Sequence, residues 1–208
     1  FLTHKHHDHC GLASVYAERG ARLFMNPQED RHCYDCLYYN HSHGSKEDQP
    51  EVLRAVGVTE EGTPEVWNMF MEVNRRVIEH KGWEFEIPGF SYTPVKAGQI
   101  LSYGGYDFEA VPLKGHTFGQ LGLYEKNRRI LFCADQVIDG IVPIVGTTYP
   151  DEHLLMGYFE SLEHFKHEYA DCLVLPAHKL PVADVKRVVN RIVFAYLDKT
   201  DLIKHILD

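Results

Sequence analysis

The chain has 208 residues, 44% of them hydrophobic, and carries 30 acidic against 21 basic side chains for a net charge of −9 with histidine neutral. This length buries one sizeable core and is too short for two comfortable enzyme domains. The charge excludes a global basic footprint for nucleic acid, and no stretch approaches the ~20 apolar residues that a membrane span needs. Fourteen histidines is a high count and points to metal. Five scattered cysteines, an odd number, fit a reducing, cytoplasmic compartment better than a disulfide framework.

Phe1 and Leu2 are expected to end a buried strand, and residues 3–9, polar and His-rich, to form a loop. No basic segment followed by an apolar one opens the chain. Residue 1 is not Met and the first residues run straight into a motif, so the chain is expected to belong to a longer protein. From Cys10 to Arg19, the spacing of Leu12, Val15 and Tyr16 predicts a helix with Gly20 as its stop. Ala21 to Met25 reads as a short strand. Residues from about 26 to 82 read as a functional insertion, a lid with some helix, because a structureless loop of that length is uncommon. Within it, Pro64 opens an amphipathic helix carrying Val66, Phe70, Val73 and Val77. Trp67 and Phe70 are expected in the core, and Tyr34, Tyr38 and Tyr39 over the site.

Beyond residue 85 the pattern turns to short strands. Phe108 to Leu113 alternates, and Gln120–Tyr124 with Arg129–Cys133 predicts a hairpin about Lys126, Asn127 and Arg128. Pro150 and Asp151 open a helix with Leu154, Leu155, Tyr158, Leu162 and Phe165 on one side. Cys172 to Leu175 is a strand ending at Pro176. A helix follows from Val182 to about Asp198, with Val185, Val189, Ile192 and Tyr196 on one face, then a further segment from Asp201 to Leu207. This order favours a mixed α/β sandwich over a doubly wound parallel sheet. No GxGxxG or P-loop pattern occurs, so no dinucleotide or nucleoside triphosphate site is indicated.

The chemistry concentrates in His4-x-His6-x-Asp8-His9. Alternate residues of an extended segment point the same way, so His4 and His6 can share one cation, while Asp8 and His9, at a turn, can reach a second. A rival pairing of His7 with His9 leaves no Asp-His pair two positions beyond, which favours the first register. An affinity-tag remnant would be pure histidine and would not contain Thr3 and Asp8. Three more ligand-type residues follow predicted strands: His116 after Phe108–Leu113, Asp135 after Ile130–Ala134, and His178 after Leu173–Ala177. Strand ends on one sheet edge are where open α/β sites collect their functional groups.

With these residues in view, the sequence resembles the metallo-β-lactamase superfamily, whose pattern is T-H-x-H-x-D-H, then G-H-T, then an isolated Asp after an apolar strand, then a final His. The resemblance runs from residue 1 to about 180. It implies an αββα sandwich of which the strands before the first motif are not in this sequence. It further implies that one metal takes His4, His6 and His116, that a second takes Asp8, His9 and His178, and that Asp135 bridges them. The ions would be two divalent metals, zinc first, with iron or manganese as alternatives. Leu131 to Gln136, Tyr158 to Leu162 and Leu173 to His178 resemble segments of a branch that joins this fold to a C-terminal winged helix, with glyoxalase II-like and endoribonuclease-like members. On that resemblance residues 1–180 form the catalytic domain and 181–208 the start of the winged helix. Phe118 stands where the pattern has Pro, and Ala177 where it has Gly.

The function so implied is hydrolysis of a small ester or thioester by a metal-bridging hydroxide, with Asp8 as catalytic residue as well as ligand. An RNA or DNA phosphodiesterase is the alternative, disfavoured by the acidic balance and the lack of a Lys/Arg-rich run. A non-catalytic metal-binding protein is the third, disfavoured by the full ligand set. A β-lactamase proper is not expected, since Asp8 and Asp135 make both sites oxygen-rich. Cys10, beside the motif, is expected to pack under the loop. Cys33, Cys36, His41 and His43 have the composition of a structural zinc site, though the short gap from Cys to His favours a reading as residues lining the site entrance. The expected partner is a small-molecule substrate, with no membrane and with room for a homodimer.

Overall fold

The computed structural model describes residues 1–29, 50, 53–54, 57–80, 89–145 and 153–207. The cysteine and histidine group at 33–43 and the three insertion tyrosines lie outside them. In chain order come α1 (His7–Cys10), α2 (Ala13–Glu18), β1 (Phe24–Met25), α3 (Pro64–His80), β2 (Thr93–Pro94) and β3 (Ile100–Tyr103). There follow β4 (Tyr106–Pro112), β5 (Leu121–Glu125), β6 (Ile130–Ala134), α4 (Leu154–Glu168), β7 (Leu173–Pro176) and α5 (Val185–Leu207).

The strands make a two-stranded parallel sheet, β1-β2, and a five-stranded sheet in the order β3-β4-β5-β6-β7. Strands β3 to β6 pair antiparallel in sequence, and the expected hairpin forms with Leu123 opposite Phe132 and Glu125 opposite Ile130. β7 then joins β6 in parallel, Leu131 beside Val174. A parallel neighbour requires a crossover, and α4 supplies it. The pairings give β4, β6 and β7 one common direction, so their C-terminal ends lie along one edge of the sheet.

Alternation along β4 explains the two-sided core. Ala110 joins Val95 and Leu121 in a small cluster with Phe1, Phe24 and Leu101. The next residue, Val111, points the other way into the main core. There it meets Leu113, Leu131, Cys133 and Val174, covered by Tyr158, Leu162 and Phe165 of α4 and by Val185, Val188, Val189 and Ile192 of α5. Tyr196 of α5 packs edge-on against Tyr158 and Phe159 at 5.9 and 5.8 Å between ring centres.

Several expectations need correction. Residues 7–9, expected in a loop, join Cys10 in a helical turn in which Cys10 N–H donates to the His6 carbonyl. The Cys10–Arg19 helix is broken into α1 and α2, so no continuous stripe forms: Cys10, Ala13 and Ser14 are buried, whereas Leu12 and Tyr16 are 63% and 55% exposed. Among the described side chains of α3 the buried one is Trp67, stacked under the Arg54 guanidinium at 5.3 Å, while Phe70 is exposed. On α4 Leu155 is exposed, leaving Leu154, Tyr158, Leu162 and Phe165 on the core face. The C-terminal helix starts at Val185, because Val182 is still held in a bridge to Val174, and it runs unbroken to Leu207. Among the described residues no helix is long and apolar enough to cross a membrane.

Phe165 is fully buried between α4, β7 and α5. Phe165→Ala should cost about 3–5 kcal/mol, read as a lower urea midpoint. A loss below about 1 kcal/mol would show that this cluster does not hold the sheet and helices together.

Candidate metal centre

His116, Asp135 and His178 follow β4, β6 and β7, the three strands that end along one edge. The first motif reaches the same edge by another route. Leu2 N–H donates to Phe24 O at 2.8 Å, and Leu121 N–H, at the start of β5, donates to Thr3 O at 3.0 Å. Thr3 therefore lies along the sheet, and His4, His6, Asp8 and His9 emerge where the other three residues are waiting.

All seven side chains come together. His6 Nδ1 lies 3.0 Å from His4 Nε2 and 3.0 Å from His116 Nε2. Asp8 Oδ2 lies 3.5 Å from His9 Nε2 and 3.2 Å from His178 Nε2. Asp135 Oδ2 stands between the groups, 3.5 Å from His9 Nε2 and 3.6 Å from both His116 Nε2 and His178 Nε2. Ligand atoms within 4.8 Å of one another define the triads His4/His6/His116 and Asp8/His9/His178, and a third, His4/His9/Asp135.

Protons alone do not satisfy this arrangement. His116 Nδ1 donates to Ile144 O at 2.6 Å, which leaves a lone pair on Nε2 of the neutral ring. His6 Nδ1 can donate one hydrogen at most, so it cannot satisfy both neighbours at 3.0 Å. Extra protons are not taken up readily. Burial, reinforced by His116 and Lys5, lowers the His6 pKa to about 3. Burial and the neighbouring rings hold His4 well below the usual value, and burial also lowers His116. For His9 burial pulls the same way but is outweighed by the Asp135 and Asp8 carboxylates, and the pKa rises. For Asp135 burial pushes up, and the surrounding histidines, His9 first, bring the pKa down. His9 Nε2 and Asp135 Oδ1 are buried with no hydrogen-bond partner among the described residues. Buried orphan acceptors are costly and rare, and a divalent cation is the ligand that would satisfy converging imidazoles and carboxylates.

Three supports were not visible in the sequence. Asp135 follows Ala134, a non-glycine residue held at φ 47° where β6 slips register against β7. Its backbone is fixed by a buried amide pair: Asp135 N–H donates to Gln120 Oε1, and Gln120 Nε2 donates to Gln136 Oε1. Gln136 Nε2 in turn reaches Lys114 O and Ser161 Oγ. The His178 loop is tied to the same point, since Ala177 N–H donates to Ala134 O. The third support is Glu29, fully buried, which accepts from Lys5 N–H, Thr117 Oγ1 and Gly119 N–H. Its one trace in the sequence was an acidic residue two positions after the Asn26-Pro27 pair. Glu29 falls inside the stretch read as an insertion, yet it lies beneath the site.

Cys10 is buried with its thiol on the Lys5 carbonyl at 3.0 Å, under the loop as expected. Burial pushes the Cys133 thiol up to about 12, so it supplies no thiolate at neutral pH. A cavity of about 790 Å³ opens beside Asp8 and His9, lined by Leu2, Leu12, Ala13, Tyr16, Arg22 and Leu23 among others. The exposed Leu12 and Tyr16 face this cavity.

No family model and no curated protein matches the sequence. Solved structures do. The chain aligns over 99% of its length with a metallo-beta-lactamase family protein from Thermus thermophilus, at TM-score 0.70 and 22% identity, covering 62% of that chain. It aligns over 98% of its length with a beta-lactamase domain protein from Burkholderia ambifaria, at TM-score 0.69 and 22% identity, covering 57% of that chain. A metallo-beta-lactamase from Pontibacter korlensis is similar at TM-score 0.52 and 14% identity, over 90% of this chain and 63% of that one. The fold is therefore that of the metallo-β-lactamase proteins, and the chain spans about three fifths of the length of these structures.

Two outcomes follow from the geometry. Gly115 has φ 115°, and a Cβ there would stand 2.2 Å from Tyr158 Cβ and 2.5 Å from its Cα. Gly115→Ala should therefore cost about 3 kcal/mol by forcing α4 or the His116 loop to move. An unchanged denaturation midpoint would contradict the close packing. The histidines set the pH response of metal-free protein. His4, His6 and His116 take up protons at lower pH in the folded state than in the unfolded chain, whose histidines titrate near pH ~6.5. Stability is thus full above that pH and falls on acidification, by about 1.4 kcal/mol per pH unit for each such proton. His9 has the opposite sign, contributing below its unfolded pKa and losing its contribution as pH rises through the folded one. The urea midpoint of metal-free protein should drop between pH 7 and 5. A flat or rising midpoint would contradict the burial of these rings.

Proposed function

We propose that this chain is the catalytic core of a binuclear metal-dependent hydrolase acting on a small ester or thioester. The observation that carries the reading is the convergence of seven Lewis-basic side chains, two of their atoms buried without a hydrogen-bond partner among the described residues. In this reading His4, His6 and His116 hold one ion, Asp8, His9 and His178 the other, and Asp135 bridges both. Zinc suits such a donor set, as do iron and manganese. Residues 1–180 act as the catalytic domain, with an insertion over about 26–82, and 181–208 lead toward a winged helix.

Bound ions would supply charge stabilisation at the attacked carbonyl and a water nucleophile at neutral pH. The protein's own residues do the rest. His116 is fixed in one tautomer by the Ile144 carbonyl, keeping Nε2 free as a ligand. Asp8 is the more open of the two carboxylates in the cluster, its side chain 45% exposed against 11% for Asp135. Asp8 Oδ2 faces His9 and His178, and Oδ1 would be left to orient a water and take its proton. The cavity beside Asp8 has the size and the partly apolar lining of a small-molecule site, and the net charge of −9 opposes a polyanionic substrate.

Metal analysis of freshly purified protein should give about two ions per chain, and folded protein without metal would overturn the reading. A panel of thioesters, lactones, phosphodiesters and single-stranded RNA should show turnover of thioesters or esters; activity confined to the phosphodiesters would favour the nuclease alternative. His116→Ala should bring turnover to the uncatalysed background, and retained activity would remove His116 from the ligand set.

A further inference from the structure

The loops that carry His4/His6 and His116 are 110 residues apart in sequence, yet their ring nitrogens meet at 3.0 Å. What holds the two loops at that separation is a buried turn. Glu29 Oε2 accepts from Lys5 N–H at 2.7 Å, between His4 and His6. Its Oε1 accepts from Thr117 Oγ1 at 2.9 Å and Gly119 N–H at 2.5 Å, directly after His116. Asn26, three residues earlier, donates from Nδ2 to the Gly119 carbonyl at 2.7 Å. Gly119 is thus gripped at both its N–H and its C=O, and it has no room for a side chain: a Cβ would stand 2.8 Å from Gln28 Cβ and 3.0 Å from Glu29 Oε1.

We propose that Glu29, seconded by Asn26, is the positioning residue of the His4/His6/His116 site, and that it sets the affinity of that site for its metal by locking the two ligand loops together. The inference rests on the metal reading above. A carboxylate is the side chain the geometry requires. Two of the three donors are backbone N–H groups, which can only donate, and they approach different oxygens. A glutamine would bring its NH₂ against one of those N–H groups. An aspartate is one methylene too short to reach both loops. Glu29 bonds to no ligand of the second site: His178 is held through the β7 loop, and Asp8 and His9 sit on α1, which bonds back to the His6 carbonyl. The effect should therefore be much larger at the first site than at the second.

The test is a cobalt(II) titration of metal-free protein with chelator competition, followed in the visible spectrum, on wild type and Glu29→Gln. Wild type should bind about two ions, and Glu29→Gln should weaken one step by about 10–100-fold while the other stays near wild type. Val189→Ala, a cavity in the core under α5 at a residue that carries none of the bonds to either loop, is the control for general loss of stability; it should lower the thermal midpoint and leave both steps intact. Should Glu29→Gln not fold, Thr117→Val removes one donor, leaves the carboxylate in place and should weaken the same step to a smaller degree. Equal weakening of both steps, or unchanged affinities and spectrum in the variant, would overturn the positioning role. Wild type that binds no cobalt would instead overturn the metal reading itself, so the two failures are distinguishable.

Discussion

The structure is organised around a repulsion. Ring nitrogens at 3.0 Å with too few hydrogens between them, and carboxylate oxygens inside the same cluster, do not gather unaided. In water each would hold its own hydration shell. Here burial strips that shell, and only part of the loss is returned by hydrogen bonds. A chain can keep such groups together only if the backbone on each side is fixed by something else. The supports serve that purpose one loop at a time: Glu29 for the loops of His4, His6 and His116, the Gln120–Gln136 pair for Asp135, and the Ala134 carbonyl for the loop of His178. Each support is buried, and each bonds to backbone at least once, so its geometry is set by the fold and not by solvent.

The sheet decides where those loops arrive. With β4, β6 and β7 running one way, three ligand-bearing loops leave the same edge, and the first motif is brought there by pairing at Thr3. The two helices on the main core are the backing plate. Tyr158 shows the coupling most directly. It is buried in the α4–α5 cluster, its hydroxyl donates to the Gln136 carbonyl, and its backbone lies where a Cβ on Gly115 would be. Core packing and site geometry therefore meet at Tyr158, and a defect at that residue is felt in both.

What was legible in the sequence was what residue type reveals. Histidines and aspartates at strand ends, a hairpin about Lys126 to Arg128 and apolar periodicity on α4 and α5 all leave a trace in composition or spacing. Glu29 left almost none, because its partners at residues 117 and 119 are 88 and 90 positions away and most of its bonds go to backbone amides, which every residue carries. The reading of α2 failed for a related reason. Leu12, Val15 and Tyr16 have helical spacing, but the break after Cys10 turns the buried side toward Ala13 and Ser14, and two of the large residues face a cavity. Hydrophobic spacing says that a face exists; it does not say whether core or ligand space lies opposite.

The cluster is also lopsided. His4 and His116 are buried to 0% and 5% exposure, whereas the Asp8 and His178 side chains are 45% and 41% exposed. The all-nitrogen group lies at the back, locked by Glu29, and the oxygen-rich group faces the cavity. In the proposed reading a substrate entering past Leu12 and Tyr16 would meet Asp8 and His9 first, with Asp135 standing between them and His116. The back of the site can then be rigid without restricting what the front accepts. On that reading the chemistry would be held constant by residues tied into the core, while selectivity would be left to side chains on short, exposed helical turns, where substitution costs the fold little.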